Sequence, residues 1–366
     1  MTHGSLGVEE EYQLLDIDSG DLRPVNTAVL EAAAPSMGES VHAELMRSQI
    51  EVSTPVCATL DDVDRELRAL RRRLNTLAGK YGCRLGAAGS HPSAHWETQP
   101  ITPSERYQGM AGQYQQMARE TLIFGCHVHV GIDDLDLRID VMNRVRAWLP
   151  VLLALSTNSP FWAGADTGYG SYRTVVFRRW PTTGMPLRFD GNDEYQRLVA
   201  TLVDAGAIDD ATKLYWDVRP SARFPTLEFR IADVCLTVDD AVTMAGLIAA
   251  LVETARQDNL AGVELQDPRH ELLEAAVWRA ARHGLGGQLI DVTAGQLRPA
   301  HDVVTGFVTA IRTALEEAGS WERVRQGVDR LLYDGTGAER QRAVLRSTGR
   351  LADVVEYIAD QTAAGT

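Results

Sequence analysis

Four separated stretches of this chain alternate between an apolar and a polar side, which commits them to a sheet with one oily and one densely charged face. Successive side chains of a strand point to opposite faces. In LGVEEEYQLL, Glu9, Glu11 and Gln13 stand opposite Val8, Tyr12 and Leu14, and in SQIEVST, Gln49, Glu51 and Ser53 oppose Ile50 and Val52. In CHVHV, His127 and His129 oppose Cys126, Val128 and Val130, and in TLEFRIAD, Glu228 and Arg230 oppose Leu227, Phe229 and Ile231. A face that merely met water would carry threonine, serine, lysine and mixed charge. This one gathers four carboxylates, two imidazoles and one arginine, with no lysine. Acids so placed repel one another unless something cationic is bound. The pattern therefore predicts a metal-centred site.

The ligand types choose the ion. Cys57, Cys83, Cys126 and Cys235 are scattered without CxxC spacing, so they read as reduced, buried thiols, not as a zinc site. Carboxylates with one or two imidazoles suit Mg²⁺ or Mn²⁺, which keep positions open for phosphate oxygens and commonly clamp ATP. No GxxxxGK[ST] occurs, and no GxGxxG leads from a strand into a helix. Bound ATP would have to be held by metal and arginine. WDVRPSARFPTLEFR supplies Arg219, Arg223 and Arg230, and Arg173 ends SPFWAGADTGYGSYR, a Gly-rich aromatic stretch expected to wrap a ligand.

Strand patterning covers 5–15, 48–54, 84–89, 122–132, 173–179 and 225–234. Helical spacing covers 60–82, 138–157 (bent near Pro150), 239–257, 268–283, 300–317, 320–333 and 337–363. Strands do not alternate regularly with single crossover helices. The expected class is α+β, a mainly antiparallel sheet packed by helices. One domain over 1–366 is expected, sheet-rich to about 236 and mostly helical from 237 onward. Arg71, Arg72 and Arg73 are expected on a solvated helix face, and exposed helical faces leave room for a homodimer.

A net charge of −14 repels phosphate backbones, so nucleic acid is not an expected partner. No apolar run reaches the roughly 18 to 20 residues of a membrane span; AWLPVLLAL at 147–155 is too short. The N-terminus has no basic segment followed by an apolar one, and a cytoplasmic location is expected.

GVEEEYQL, IEVSTPVC, GSHPSAHW with ERYQ, FGCHVHVG, NSPFWAGADTGYGSYR and WDVRPSARFPTLEFRIAD follow one another in this order. Together they resemble the glutamate–cysteine ligase type 2 family, closest to its YbdK-like carboxylate-amine ligases. The resemblance implies a fold similar to the glutamine synthetase catalytic domain, a curved sheet whose concave face holds ATP and metals. It also implies ATP-dependent joining of the γ-carboxylate of L-glutamate to an amine, typically L-cysteine, through an acyl phosphate, with release of ADP and phosphate. Carried over by motif, Glu9, Glu11, Glu51, His127 and Glu228 would ligate Mg²⁺. Arg230 would bind metal-held phosphate, and His129 would orient a phosphate or carboxylate. Arg173, Arg219 and Arg223 complete the expected nucleotide and substrate contacts. Where better-studied cysteine ligases carry a further acid before TPV this chain has Arg47, with Glu44 as a substitute. His129 likewise replaces an amide. These departures bear on the identity of the amine. The rival readings are an HxH metal-dependent hydrolase and a non-enzymatic metal or nucleotide binder.

Overall fold

In the computed structural model, which describes residues 4–366, seven strands build the main sheet. They are β1 (Leu6–Asp16), β2 (Val41–Ala43), β3 (Gln49–Ser53), β4 (Cys83–Gly86), β5 (Gly125–Gly131), β6 (Val218–Pro220) and β7 (Thr226–Asp233). Their order is β6-β7-β5-β1-β3-β2, with β4 paired to the C-terminal end of β1, and every pairing is antiparallel. The chain is α+β, as the strand spacing predicts. β1 is the hub: β3, β4 and β5 all hydrogen-bond to it.

The apolar face of β1 carries two core clusters. Leu6 and Val8 join Val128, Val130, Leu227 and Phe229 in one, which extends into the long helix Val238–Leu260. Tyr12, Leu14, Ile50 and Val52 join the other, with α1 (Asn26–Met37) and α2 (Leu60–Gly79). α2 begins at a capping box in which Thr59 and Asp62 satisfy each other's free amides. No helix among the described residues is long and apolar enough to cross a membrane.

β7 does not run regularly beside β5. Phe229 faces Val128, but the next paired residues are Ala232 with Cys126 and Asp233 with Gly125, so β7 spends three steps where β5 spends two. This β-bulge places Arg230 and Ile231 outside the ladder register, beside His127.

Several elements depart from expectation. Residues 173–179 were expected as a strand, but Tyr172–Phe177 is a short helix, α3. Its Thr-Val-Val run has strand propensity, yet the Ser171 side chain accepts from the Thr174 amide and starts a helical turn. The expected helix 337–363 is two, Gly337–Thr348 and Leu351–Ala363, divided at Gly349 with φ 72°. The helix expected over 138–157 is interrupted at 146–148, and Pro150 falls in the first turn of Leu149–Ser156, where its missing amide costs nothing. A hairpin, Gln288–Asp291 with Gln296–Pro299, interrupts the helical part.

The largest correction concerns Arg71. Arg72 and Arg73 face water, but Arg71 is 1% exposed and Glu10 is 0% exposed. The guanidinium reaches Glu10 through Nη2–Oε1 at 2.5 Å and Nε–Oε2 at 3.0 Å. It also donates to the carbonyls of Leu236 (3.1 Å) and Cys235 (2.9 Å), and the Tyr12 hydroxyl donates to Glu10. Every strong donor and acceptor of this buried pair is satisfied, which a buried charge requires. Removing one partner strands the other. Arg71→Ala is expected to cost about 3–5 kcal/mol, and Arg72→Ala less than about 0.5 kcal/mol. Urea unfolding of the two variants beside wild type checks this; equal midpoints for the two would reject it.

Candidate metal and anion site

The acid face is assembled row by row across the sheet. Arg219 of β6 is opposite Glu228 of β7, and Glu228 is opposite His129 of β5. One step on, His127 is opposite Glu9 of β1; a further step on, Glu11 is opposite Glu51 of β3. The two imidazoles and four carboxylates expected on one face therefore share it.

They divide into two donor groups. Glu9, His129 and Glu228 each offer a ligand atom, and these atoms lie within 4.8 Å of one another; Glu11, Glu44 and Glu51 do the same. Glu44, named as the substitute for the acid missing at Arg47, thus sits in the second group. His127 stands between the groups, with Nδ1 3.0 Å from Glu9 Oε2 and Nε2 3.8 Å from Glu11 Oε1. His129 holds its Nδ1 against Thr226 Oγ1 at 2.9 Å and turns Nε2 toward Glu9 Oε1, 3.3 Å away. His129 belongs to a three-donor group, while His127 bridges the carboxylates.

Two observations fit a bound divalent cation. The Nε2 atoms of both His127 and His129 are buried with no hydrogen-bond partner. Burial, together with the neighbouring charges of Glu9, Glu44 and Glu11, pushes the Glu51 carboxyl well above the ordinary range, and Glu11 is raised chiefly by burial. A cation would relieve both strains. Burial and the charge of Arg230 hold His127 below its usual value, so it is neutral near pH 7 and able to act as a lone-pair donor. Burial works against ionisation of Glu228, but Arg230 and Arg219 outweigh it and hold that carboxyl far below the usual range.

The arginines serve different ends. Arg219 grips Glu228 through Nε–Oε2 at 2.8 Å and Nη2–Oε1 at 3.1 Å, and its remaining nitrogen donates to the Thr212 and Leu214 carbonyls. Four of its five N–H groups are thus committed within the protein. Arg230 bonds Glu228 through Nη1 and keeps a buried Nε without a partner. Arg173 lies against Gly125, where an added Cβ would come 2.4 Å from the guanidinium, and donates to the carbonyls of Arg230 and Ile231. It is 3% exposed and acts as a fixed charge near Glu11. Arg223 is exposed in the loop joining β6 and β7, beside Phe224, whose ring meets His129 edge-on at 6.2 Å. Of the four expected anion contacts, Arg230 and Arg173 each keep a buried Nε without a partner, and Arg230 is the one paired with Glu228.

The Gly-rich stretch 159–173 wraps a carboxylate of the protein itself. Buried Asp233 accepts from the Asn158 amide (2.8 Å), Ser159 Oγ (2.7 Å) and Ser171 Oγ (2.7 Å). Thr226, Asp233 and Glu44 also shape the site; alternation sets Thr226 on the polar side of its strand without showing that it holds His129, and the bulge puts Asp233 on the side alternation would not give it. Each acts through a partner distant in sequence.

If His129 is the imidazole that meets a cation, His129→Ala should weaken Mn²⁺ binding about 10–100-fold. Thr226→Val, which frees Nδ1, should weaken it by about tenfold. His127→Ala should change it less than either. Titration of each protein with Mn²⁺ followed by electron paramagnetic resonance reads this directly. A larger loss in the His127 variant would restore the original assignment.

Residues 5–357 match the model of glutamate–cysteine ligase family 2. A Rhodopirellula baltica protein named "Putative glutamate--cysteine ligase 2" is 41% identical over 363 residues, covering 98% of this chain and 96% of that one. Among solved structures, glutamate–cysteine ligase from Francisella tularensis in complex with AMP superposes with a TM-score of 0.73 at 12% identity, covering 99% of this chain and 89% of that one. A bifunctional glutathione synthetase from Pasteurella multocida gives the same TM-score at 17% identity, and this chain spans 51% of its length. The two structures speak for the fold alone. With the sequence match running almost from end to end, the chain belongs to glutamate–cysteine ligase family 2.

Proposed function

We propose that the chain, acting as one domain in the cytoplasm, is an ATP-dependent carboxylate-amine ligase that couples the γ-carboxylate of L-glutamate to an amine. L-Cysteine is the first candidate amine, giving γ-glutamylcysteine, and another amine in the same chemistry is the alternative. The observation that carries this reading is the pair of carboxylate groups flanking two imidazoles, with Arg230 beside them.

The γ-carboxylate oxygen attacks the terminal phosphorus of ATP, the bond to the bridging oxygen breaks, and ADP leaves. The amine nitrogen then attacks the acyl carbon, loses a proton, and phosphate departs. Negative charge accumulates on non-bridging oxygens in both steps, so fixed positive groups rather than a protein nucleophile carry the catalysis. Mg²⁺ bound by Glu9, His129 and Glu228, and by Glu11, Glu44 and Glu51, would neutralise phosphate charge. Arg219 keeps Glu228 ionised and immobile, and Arg230 keeps an unpartnered Nε that could meet developing phosphoryl charge. Cys126 is buried on the opposite face, so it is no nucleophile. A histidine-based hydrolase is less well served, because each three-donor group among the described residues contains at most one imidazole.

ADP release should require Mg²⁺ (or Mn²⁺), L-glutamate and an amine together. Glu228→Gln keeps the shape but removes the charge, and is expected to lower turnover by at least about 100-fold. A coupled ADP assay measures it; near wild-type release would remove Glu228 from the site. A sulfoximine analogue of the γ-glutamyl group should inhibit slowly, tightly and only when ATP is present, because its phosphorylated form mimics the tetrahedral state. Rapidly reversible inhibition indifferent to ATP would argue for simple binding.

A further inference from the structure

Tyr215 ends a buried aromatic stack with a hydroxyl that nothing satisfies. The residue is 8% exposed, and its ring packs edge-on against Trp180 (5.6 Å) and Phe177 (6.1 Å). Its backbone amide is tied to the Thr182 carbonyl at 2.9 Å. The ring is therefore fixed, yet the hydroxyl oxygen is buried without a hydrogen-bond partner. An unpaired buried hydroxyl costs about 1–3 kcal/mol. A fold that retains one has a use for it or leaves room for a ligand atom.

The surroundings are cationic and lie next to the acid face. Arg219 donates to the carbonyl of Leu214, the residue before Tyr215, while gripping Glu228. The Arg230 amide donates to the carbonyl of Asp217, two residues on. The segment that carries Tyr215 is thus stitched to both members of the Glu228–Arg230 pair. Arg230 brings the second buried, partnerless donor, its Nε. Arg106 adds a third charge: its guanidinium lies over the Tyr107 ring, and among the described residues it has no carboxylate partner. Burial and the nearby Tyr114 push the Tyr215 hydroxyl up to about 12, against the opposing charges of Arg230 and Arg106. It therefore stays protonated and can donate at neutral pH.

We propose that Tyr215, with Arg230 and Arg106, forms an oxyanion subsite in which the Tyr215 hydroxyl donates to a carboxylate or phosphoryl oxygen of a substrate. This rests on the ligase reading for the identity of the substrates, but the subsite itself is defined by the unpaired hydroxyl and its cationic neighbours. A buried, unpartnered hydroxyl donor with Arg230 and Arg106 among its charged neighbours suits an anion. An ammonium would be repelled by them.

Tyr215→Phe removes the hydroxyl and leaves the ring stack. If the hydroxyl only braced the fold, the variant would melt lower and bind substrates as before. If it serves the subsite, the melting temperature should hold or rise, and affinity for one anion should fall about 10-fold or more. Calorimetric titration with L-glutamate, ADP and inorganic phosphate separates the sources. A loss confined to L-glutamate assigns a carboxylate, and a loss for ADP or phosphate assigns a phosphoryl group. Arg106→Gln should weaken the same probe to a smaller degree. Unchanged affinity for all three probes in Tyr215→Phe, or no binding of any probe by the wild type, overturns the proposal. Because the readout is binding, a protein that shows the affinity loss but releases no ADP with any amine would refute the ligase reading and leave the subsite standing.

Discussion

The buried contact between Arg71 and Glu10 sets the position of nearly everything that matters. Glu10 is the middle of three consecutive glutamates, and it alone turns inward, where it is fully enclosed. A carboxylate there is tolerable only because α2 delivers a guanidinium to it, and that guanidinium also holds the carbonyls of Cys235 and Leu236. One side chain thus locks the central strand, the helix behind it and the exit of β7 together. Glu9 and Glu11 flank the locked residue, so they are presented outward at a fixed height.

What they are presented to is a balance of charge that the protein only half completes. At the β7 end, Arg219 and Arg230 neutralise Glu228, and at the β1 end two imidazoles lower Glu9 against the effect of its burial. At the β3 end Glu11, Glu44 and Glu51 crowd together, and the cost appears as the raised Glu51 carboxyl. The asymmetry gives the face a direction, with cationic protein groups at one edge and a demand for external cations at the other. A polyanion carrying divalent ions would fit across that gradient.

The sheet and its acid face were legible in the sequence because period-2 alternation is a local property: Glu9, Glu11, Glu51, His127, His129 and Glu228 each announce their side within a few residues. Partnerships were less legible. Arg71 looked like one more solvated arginine because its partner lies sixty-one residues earlier in the chain and its own helix gives no sign of it. The orientation of the His129 ring also depends on something non-local, the Thr226 hydroxyl across the β5–β7 pair. The Thr-Val-Val run of α3 failed as a strand because one serine cap outweighed weak propensity.

The bulge in β7 acts on the strand as a frameshift acts on a reading frame. Upstream of it, even-numbered residues meet the acid face; downstream, Asp233 pairs opposite Gly125, so odd-numbered residues take that side. One strand can therefore supply Glu228 and Arg230 to the chemistry and Asp233 to the Ser159–Ser171 scaffold, all on the same surface despite their mismatched parity. Were the same residues laid into a regular ladder with no bulge, one of these two sets would turn into the core. In this strand regularity, more than irregularity, would be the lesion.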